Sequence, residues 1–371
     1  MTTAEELAQK ATEALDRWNL TATLHYAQES LKHGDTPAAY DMLAVAHYQL
    51  GDTQKALEAI EDGLAQFPTY TPLLFQKGLQ CLNSGNWEDG WRLWQYRTSR
   101  LLHIENIRKV HPGLREWNKL PCGKLLVIGE HGLGDEILFA RYLPLVRPFA
   151  SHMTYLTKKP LKQFFTECGL ADEVIDGDDK ISLGEFDYWV GLESLPSLLQ
   201  GVPPQVYPLQ PVKSSNKISR VGICWMSSPK PEPHRMMSWP EFAPIVQVPD
   251  IEFVNLQYGV ECPDIRVQTP KMDTLQDMSE VMNLCDAVVS VDTCVAHMAA
   301  TKGIETFVLR SLPGEWRWSI TGKSLWYPKA HVYLQTTRGS WKDPVEKVIA
   351  DLSSHPFRSS HLFFPEMASN C

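Results

Sequence analysis

Two short segments of this chain bring together the residue types that phosphate chemistry requires. In the first, SVDTCVAHMAA, the apolar run Ala287–Val291 stops at Asp292-Thr293, and a helical pattern follows with Val295, Met298 and Ala299 on one side. A strand, a tight turn and a helix N-terminus in succession form a ready anion site, because the first N–H groups lack internal partners and the helix dipole favours negative charge there. Asp292 is expected to cap this helix and Thr293 to offer a hydroxyl; His297 lies one turn further on, on the same face. A nucleotide diphosphate is the natural guest, and the alternative is a capped helix whose histidine is satisfied in the core. Cys294 sits where a helix N-terminus lowers a thiol pKa, but no base lies near it in sequence, so a small side chain packed on the sheet is expected. The second segment is His131-Gly132-Leu133-Gly134-Asp135, directly after the apolar run KLLVIGE. Its glycines bracket a turn that allows close backbone approach to a ligand, and Asp135 places a carboxylate at the mouth. That carboxylate either takes a proton from a hydroxyl or caps the helix that follows.

These turns need sheets to hold them. KLLVIGE, MTYLT, EVIDG and YWVGL form one series of short buried strands, and RVGICW, EFVNLQ, AVVSVD, ETFVLR and VYLQT a second, with helical patterns between several of them. This is alternating α/β, and two doubly wound domains in tandem create a cleft at the carboxyl ends of their strands. A Pro-rich break, GVPPQVYPLQPVKSS, separates the series. The first hundred residues differ: they are helical and repeat with a period of roughly 34 residues. From Pro37, the residues Tyr40, Leu43, Ala44, Gly51, Ala56, Ile60 and Pro68 fall on the tetratricopeptide positions; a second unit starts at Thr71 with Leu74, Gly78, Gly85, Gly90 and Trp94, and a degenerate one precedes them with Ala22, Tyr26 and Leu31. One repeat cannot bury its apolar face alone, so neighbours stack. The fold class is therefore α plus α/β: repeats over 1–100, a basic linker over 101–121, a Rossmann-like acceptor-side domain over 122–212, a second Rossmann-like domain over 213–357, and a tail over 358–371.

Composition narrows the function. A net charge of −9 argues against broad binding of nucleic acid or anionic membrane, so any phosphate must be held by local groups. No apolar run approaches the roughly 20 residues of a spanning helix, and Met1–Lys10 is a polar helix start and not a signal peptide. Eight scattered cysteines without C-x-x-C or zinc spacing fit reduced thiols in the cytoplasm. Asp176-Gly177-Asp178 has the form of a metal-binding D-x-D, but lies in a polar loop and is expected to be a solvated turn. The G-x-G-x-x-G fingerprint of dinucleotide binding is absent. No metal or resident cofactor is expected.

Taken together, GEHGLGDEILFARYLP, RMMSWPEF, SVDTCVAHMAA, WRWS and SLWYPKAHVYLQ, behind repeats that end in NWEDGWRLWQYR, resemble bacterial tetratricopeptide-repeat proteins with a glycosyltransferase domain similar to glycosyltransferase family 9, the heptosyltransferase group. The resemblance implies the two-Rossmann GT-B fold and an inverting, metal-independent transfer from a nucleoside-diphosphate sugar. It implies that Asp135 is the general base, that His131, Gly132, Leu133 and Gly134 form the acceptor loop, and that Asp292, Thr293 and His297, with Cys294 among them, hold the donor phosphates. The segment from Ser227 to Trp239 matches a loop that places a basic residue immediately before the Ser-Trp-Pro step; here that position is Met237, with Arg235, His234 or Lys230 as substitutes. This departure supports a competing reading, a catalytically degenerate scaffold that recruits a partner through its repeats. Trp316, Arg317 and Trp318 either wall the pocket or form aromatic core with a surface arginine, Trp326 to Pro328 pack as structure near the rim, and Gln257 is a candidate for reaching the base. The repeats are expected to present a peptide or protein or to orient the acceptor.

Overall fold

The computed structural model describes residues 3–199, 220–228, 233–314, 316–318, 322 and 324–354. The Pro-rich break at 201–215, Lys230 and the tail at 358–371 lie outside the described residues.

The chain begins with three helix pairs: α1 (Ala4–Asp16) with α2 (Leu20–His33), α3 (Pro37–Gln49) with α4 (Thr53–Gln66), and α5 (Thr71–Asn83) with α6 (Trp87–Trp94). Their starts follow local chemistry. Thr36 caps α3 by accepting from the Ala39 amide, with Pro37 in the first turn, and Asn86 caps α6 by accepting from Asp89. The helices meet where side chains are missing: a Cβ on Gly63 would stand 2.6 Å from Leu73 Cδ1, and one on Gly78 2.9 Å from Leu93 Cβ. Gly51 and Gly85 have another role, ending α3 and α5 in left-handed turns with φ of 86° and 80°.

After α7 (Thr98–Val110) and the two-residue strand β1 (Arg115–Glu116), the first α/β lobe comprises β2 (Cys122–Ile128), α8 (Leu133–Phe139), α9 (Leu143–Val146), β3 (Ala150–Leu156), α10 (Lys162–Cys168), β4 (Glu173–Ile175), β5 (Tyr188–Gly191) and α11 (Leu195–Leu198). Its strands are all parallel in the order β1-β5-β2-β3-β4. The second lobe comprises β6 (Arg220–Cys224), α12 (Trp239–Phe242), β7 (Glu252–Asn255), α13 (Leu275–Met282), β8 (Ala287–Val291), α14 (Cys294–Thr301), β9 (Glu305–Arg310), β10 (Ala330–Leu334) and α15 (Lys342–Ser354), again all parallel, in the order β10-β9-β8-β6-β7. Every residue of β8 is buried, as expected for a parallel strand covered on both faces. Helical repeats followed by two parallel α/β lobes across a cleft agree with the expected fold class.

The segment 101–121, expected as a linker, carries regular structure. Most of it is α7 and β1, and β1 pairs with β5 through Arg115↔Tyr188. Its basic residues conceal an apolar stripe: Ile104 and Ile107, three apart, pack with Leu114, Leu126, Ile128 and Trp189. Glu116 within it pairs with Arg100 at 2.6 Å, and Arg97, which like Arg100 lies just ahead of the segment, is fully buried against Glu130 at 2.6 Å.

Aromatic side chains fasten the repeats to both lobes. Trp91 of α6 meets Trp316 edge-on at 5.3 Å, Phe139 at 6.0 Å and Trp326 at 6.1 Å. Tyr48 of α3 donates its hydroxyl to the Gly314 carbonyl at 2.8 Å, and the Trp316 amide donates to Asn83 Oδ1 at 2.9 Å. The lobes are joined by Arg141, which is buried, donates to the Trp326 carbonyl at 2.7 Å and lies 4.7 Å from the centre of the Tyr327 ring. Trp316 therefore belongs to the core and is not a pocket wall, and Trp326 and Tyr327 are structural as expected.

Candidate active site

A cleft of about 1280 Å³ opens at the carboxyl ends of both sheets. The turn between β2 and α8 supplies His131, Gly132, Leu133, Gly134 and Asp135; the opposite lobe supplies Ser227, Arg235, Gln257, Asp292, Thr293, Cys294 and His297, and Arg317 also lines it. Among the described residues offered for the site, Trp316, Trp318 and His234 do not.

On the second lobe, the hydroxyl of Thr293, and not the carboxylate of Asp292, caps α14, accepting from the Ala296 amide at 3.5 Å. Asp292 is drawn inward instead. It pairs with Arg310, accepts from Trp318 Nε1 at 2.7 Å and lies 3.3 Å from Arg235 Nη2. Burial alone would raise its pKa, but the Arg235 and Arg310 guanidiniums outweigh that and hold the carboxyl far below the usual range. Arg235 also donates from Nη2 to the Asp292 carbonyl at 2.9 Å, and its Nε is buried with no partner among the described residues. Among the described residues of this loop, that arginine is the cation that lines the cleft. Met237 is only 2% exposed and packs in the second lobe's core, so a basic side chain at that position would point away from the site. His234 is exposed and does not line the cleft.

His297 is occupied. It hydrogen-bonds Tyr327 through Nδ1 at 2.8 Å, and its ring centre is 4.3 Å from that of Trp318. Burial pushes its pKa down to about 4, so it is neutral at pH 7 and brings hydrogen-bonding capacity but no charge. The Cys294 thiol is pushed up to about 11 by burial, which leaves it protonated and without nucleophilic character. Gln257 Oε1 accepts from the Met226 amide at 2.8 Å and so closes the loop after β6.

On the first lobe, Asp135 fills both of its expected positions: it faces the cleft and it caps. Oδ2 accepts from the Gly132 amide at 2.9 Å, and Oδ1 accepts from Arg317 Nε at 2.7 Å. Burial would raise its pKa, but Arg317 and His131 lower it overall. Gly134 is required by packing, because a Cβ there would stand 2.7 Å from His297 Cδ2. The Asp176–Asp178 turn is apart from the cleft and is closed by the Asp178 amide donating to Asp176 Oδ1 at 2.8 Å.

A group that motif reading misses lies behind the turn. His131 has a φ of 45°, and its Nδ1 stands 2.7 Å from Glu193 Oε2. Glu193 also accepts from Trp94 Nε1 at 3.2 Å, and Arg97 donates to Glu130 and to Ser194 Oγ. Two acids directly after buried strands, in VIGE and VGLE, were the only available sequence signal. Their partners lie far away along the chain.

A tetratricopeptide-repeat profile matches residues 37–79, the second helix pair and the start of α5. Protein FlbA of Caulobacter vibrioides is 25% identical over 88% of this chain and 63% of its own length, so the chain spans less than two thirds of that relative. Among solved structures, a glycosyl transferase family 9 protein from Veillonella parvula aligns with 62% of this chain and 96% of its own at 15% identity and a TM-score of 0.45. The E. coli ADP-heptose lps heptosyltransferase II aligns over 62% and 100% at 14% identity and a TM-score of 0.45. An O-GlcNAc transferase mutant from Thermobaculum terrenum covers 95% of this chain and 92% of its own, at 13% identity and a TM-score of 0.31. Among the described residues, no helix is long and apolar enough to cross a membrane.

Proposed function

We propose that this chain is a glycosyltransferase that moves a sugar from a nucleoside-diphosphate sugar to an acceptor hydroxyl, with inversion and without a metal. The observation that carries this reading is the N-terminus of α14, capped by Thr293 and facing the cleft beside an Arg235 whose Nε has no partner among the described residues. The positive end of a helix and a guanidinium at one end of the cleft suit a departing diphosphate. Across the cleft, His131 and Asp135 offer proton-accepting groups to a hydroxyl that attacks the anomeric carbon from the opposite side. The repeats bind the acceptor or the protein that carries it; Tyr48 of α3 lines the cleft, so the repeat surface runs into the site. The cytoplasm is the proposed location, and the seven described cysteines are all unbridged.

A second reading, a catalytically degenerate scaffold that recruits a protein partner through its repeats and whose cleft is vestigial or holds nucleotide without turnover, draws on the double engagement of Asp135 by Gly132 and Arg317. Thermal shift and nucleoside-diphosphate release with ADP-, GDP-, UDP- and CDP-linked sugars separate the two. A raised melting temperature with release supports the transferase; a shift without release, or no shift with any donor, supports the scaffold. Arg235→Ala is expected to raise the dissociation constant for the nucleoside diphosphate roughly tenfold or more, the loss of one charge-assisted contact.

A further inference from the structure

The acceptor side of the cleft contains two titratable groups that differ in how fully they are engaged. Asp135 has one oxygen on the Gly132 amide and the other on Arg317. To take a proton it must give up an ion pair in a buried place. His131 is arranged differently. Its Nδ1 is 2.7 Å from Glu193 Oε2 and 2.8 Å from Oε1, and Glu193 is buried and further fixed by Trp94 Nε1. A carboxylate there requires the proton on Nδ1, which leaves the lone pair on Nε2. The neighbour of Nε2 is Ser99 Oγ at 3.3 Å, and that hydroxyl donates its own proton to Glu130 Oε1 at 3.1 Å. With its proton on Glu130, Ser99 Oγ can accept a hydrogen bond from Nε2. The site is built to hold a neutral imidazole before proton transfer and an imidazolium after it.

We propose that His131, backed by Glu193, is the general base that deprotonates the acceptor hydroxyl, and that Asp135 positions Arg317 and the turn. This rests on the transferase reading above. As the hydroxyl oxygen bonds to the anomeric carbon, its proton passes to His131 Nε2. The bond from that carbon to the diphosphate oxygen breaks, and its electron pair leaves on the diphosphate towards Arg235 and α14. The imidazolium then donates to Ser99 Oγ from Nε2 and to Glu193 from Nδ1, and loses its proton to solvent. Three of the groups that set this geometry, Trp94, Arg97 and Ser99, come from the end of the repeats and from α7. The repeat region thus takes part in the chemistry as well as in binding.

The groups facing His131 are Glu193, Glu130 and Asp135 on the acidic side and Arg97, Arg317 and His103 on the basic side. Burial works against its charged form, but Glu193 and then Asp135 outweigh burial and raise the pKa above its ordinary 6.5. Turnover should therefore rise with pH as the imidazolium loses its proton, along an ascending limb centred above that value.

The test uses the full chain and whichever of the ADP-, GDP-, UDP- or CDP-linked sugars it hydrolyses, with water as the accepting hydroxyl. His131→Gly tolerates the positive φ. It is expected to bind nucleoside diphosphate as before, to lower kcat on the order of a hundredfold, to lose the ascending limb and to recover turnover with added imidazole. Asp135→Asn is expected to keep the limb. The assignment is overturned if His131→Gly turns over like the wild type, or if the limb disappears in Asp135→Asn and persists without His131. A wild-type chain that binds every donor and releases no nucleoside diphosphate fails at the transferase reading itself and takes this assignment with it, a result visible before any variant is made.

Discussion

A carboxylate surrounded by Arg235, Arg310 and Trp318 sets the charge on the second lobe's side of the cleft. The sequence places Asp292 and Thr293 at a helix start but does not assign the cap, because the competing partners lie 18 and 26 residues further on. Met237 shows the same limit. Its spacing within the loop is legible; its orientation into the core is not, because that depends on which face of α12 meets the sheet. Met237→Lys is therefore expected to bury a charge and not to restore one to the cleft, lowering the melting temperature by about 5 °C or more with no gain in sugar turnover. Asp41 on α3 gives a pH prediction. Burial raises its carboxyl from 3.8 to about 7, partly opposed by a hydrogen bond from Gln76. The folded state thus holds the proton more tightly than the unfolded chain, so this group's contribution to stability is lost as pH rises from about 4 through 7, by up to about 4 kcal/mol. Melting curves of Asp41→Asn and the wild type should converge at pH 4.5 and separate at pH 8, where the variant is the more stable.

At the scale of elements, α8 and α14 approach each other N-terminus first, one from each lobe, with Gly134 against His297. Gly134→Ala forces that contact apart and is expected to cost about 1–3 kcal/mol in denaturant unfolding and to weaken nucleotide binding, since α14 moves with His297. The nine longer strands are legible because buried parallel strands form unbroken apolar runs bounded by turn residues. β1 is not: two residues, both of them charged, carry no periodicity and are strand only because β5 has a free edge. α7 is obscured by its own arginines and lysines, which lie on the solvent side of a narrow apolar stripe.

At the scale of the molecule, the tryptophans of NWEDGWRLW, read as repeat positions, form the joint between the repeats and both lobes. A repeat pattern predicts which side chains face a neighbouring helix, but not that the last pair has a sheet domain for its neighbour. Trp91→Ala removes the centre of that joint. It is expected to destabilise the whole chain by about 3–5 kcal/mol, and calorimetry should show the single wild-type transition separating into two.

The buried guanidinium of Arg141 also limits how the cleft is filled and emptied. A jaw that swung wide in each cycle would have to pull that charge off Tyr327 and the Trp326 carbonyl and leave it unsolvated. A ligand must therefore enter and leave through the standing mouth between the sheets, past Tyr48, so the repeats stand at the doorway.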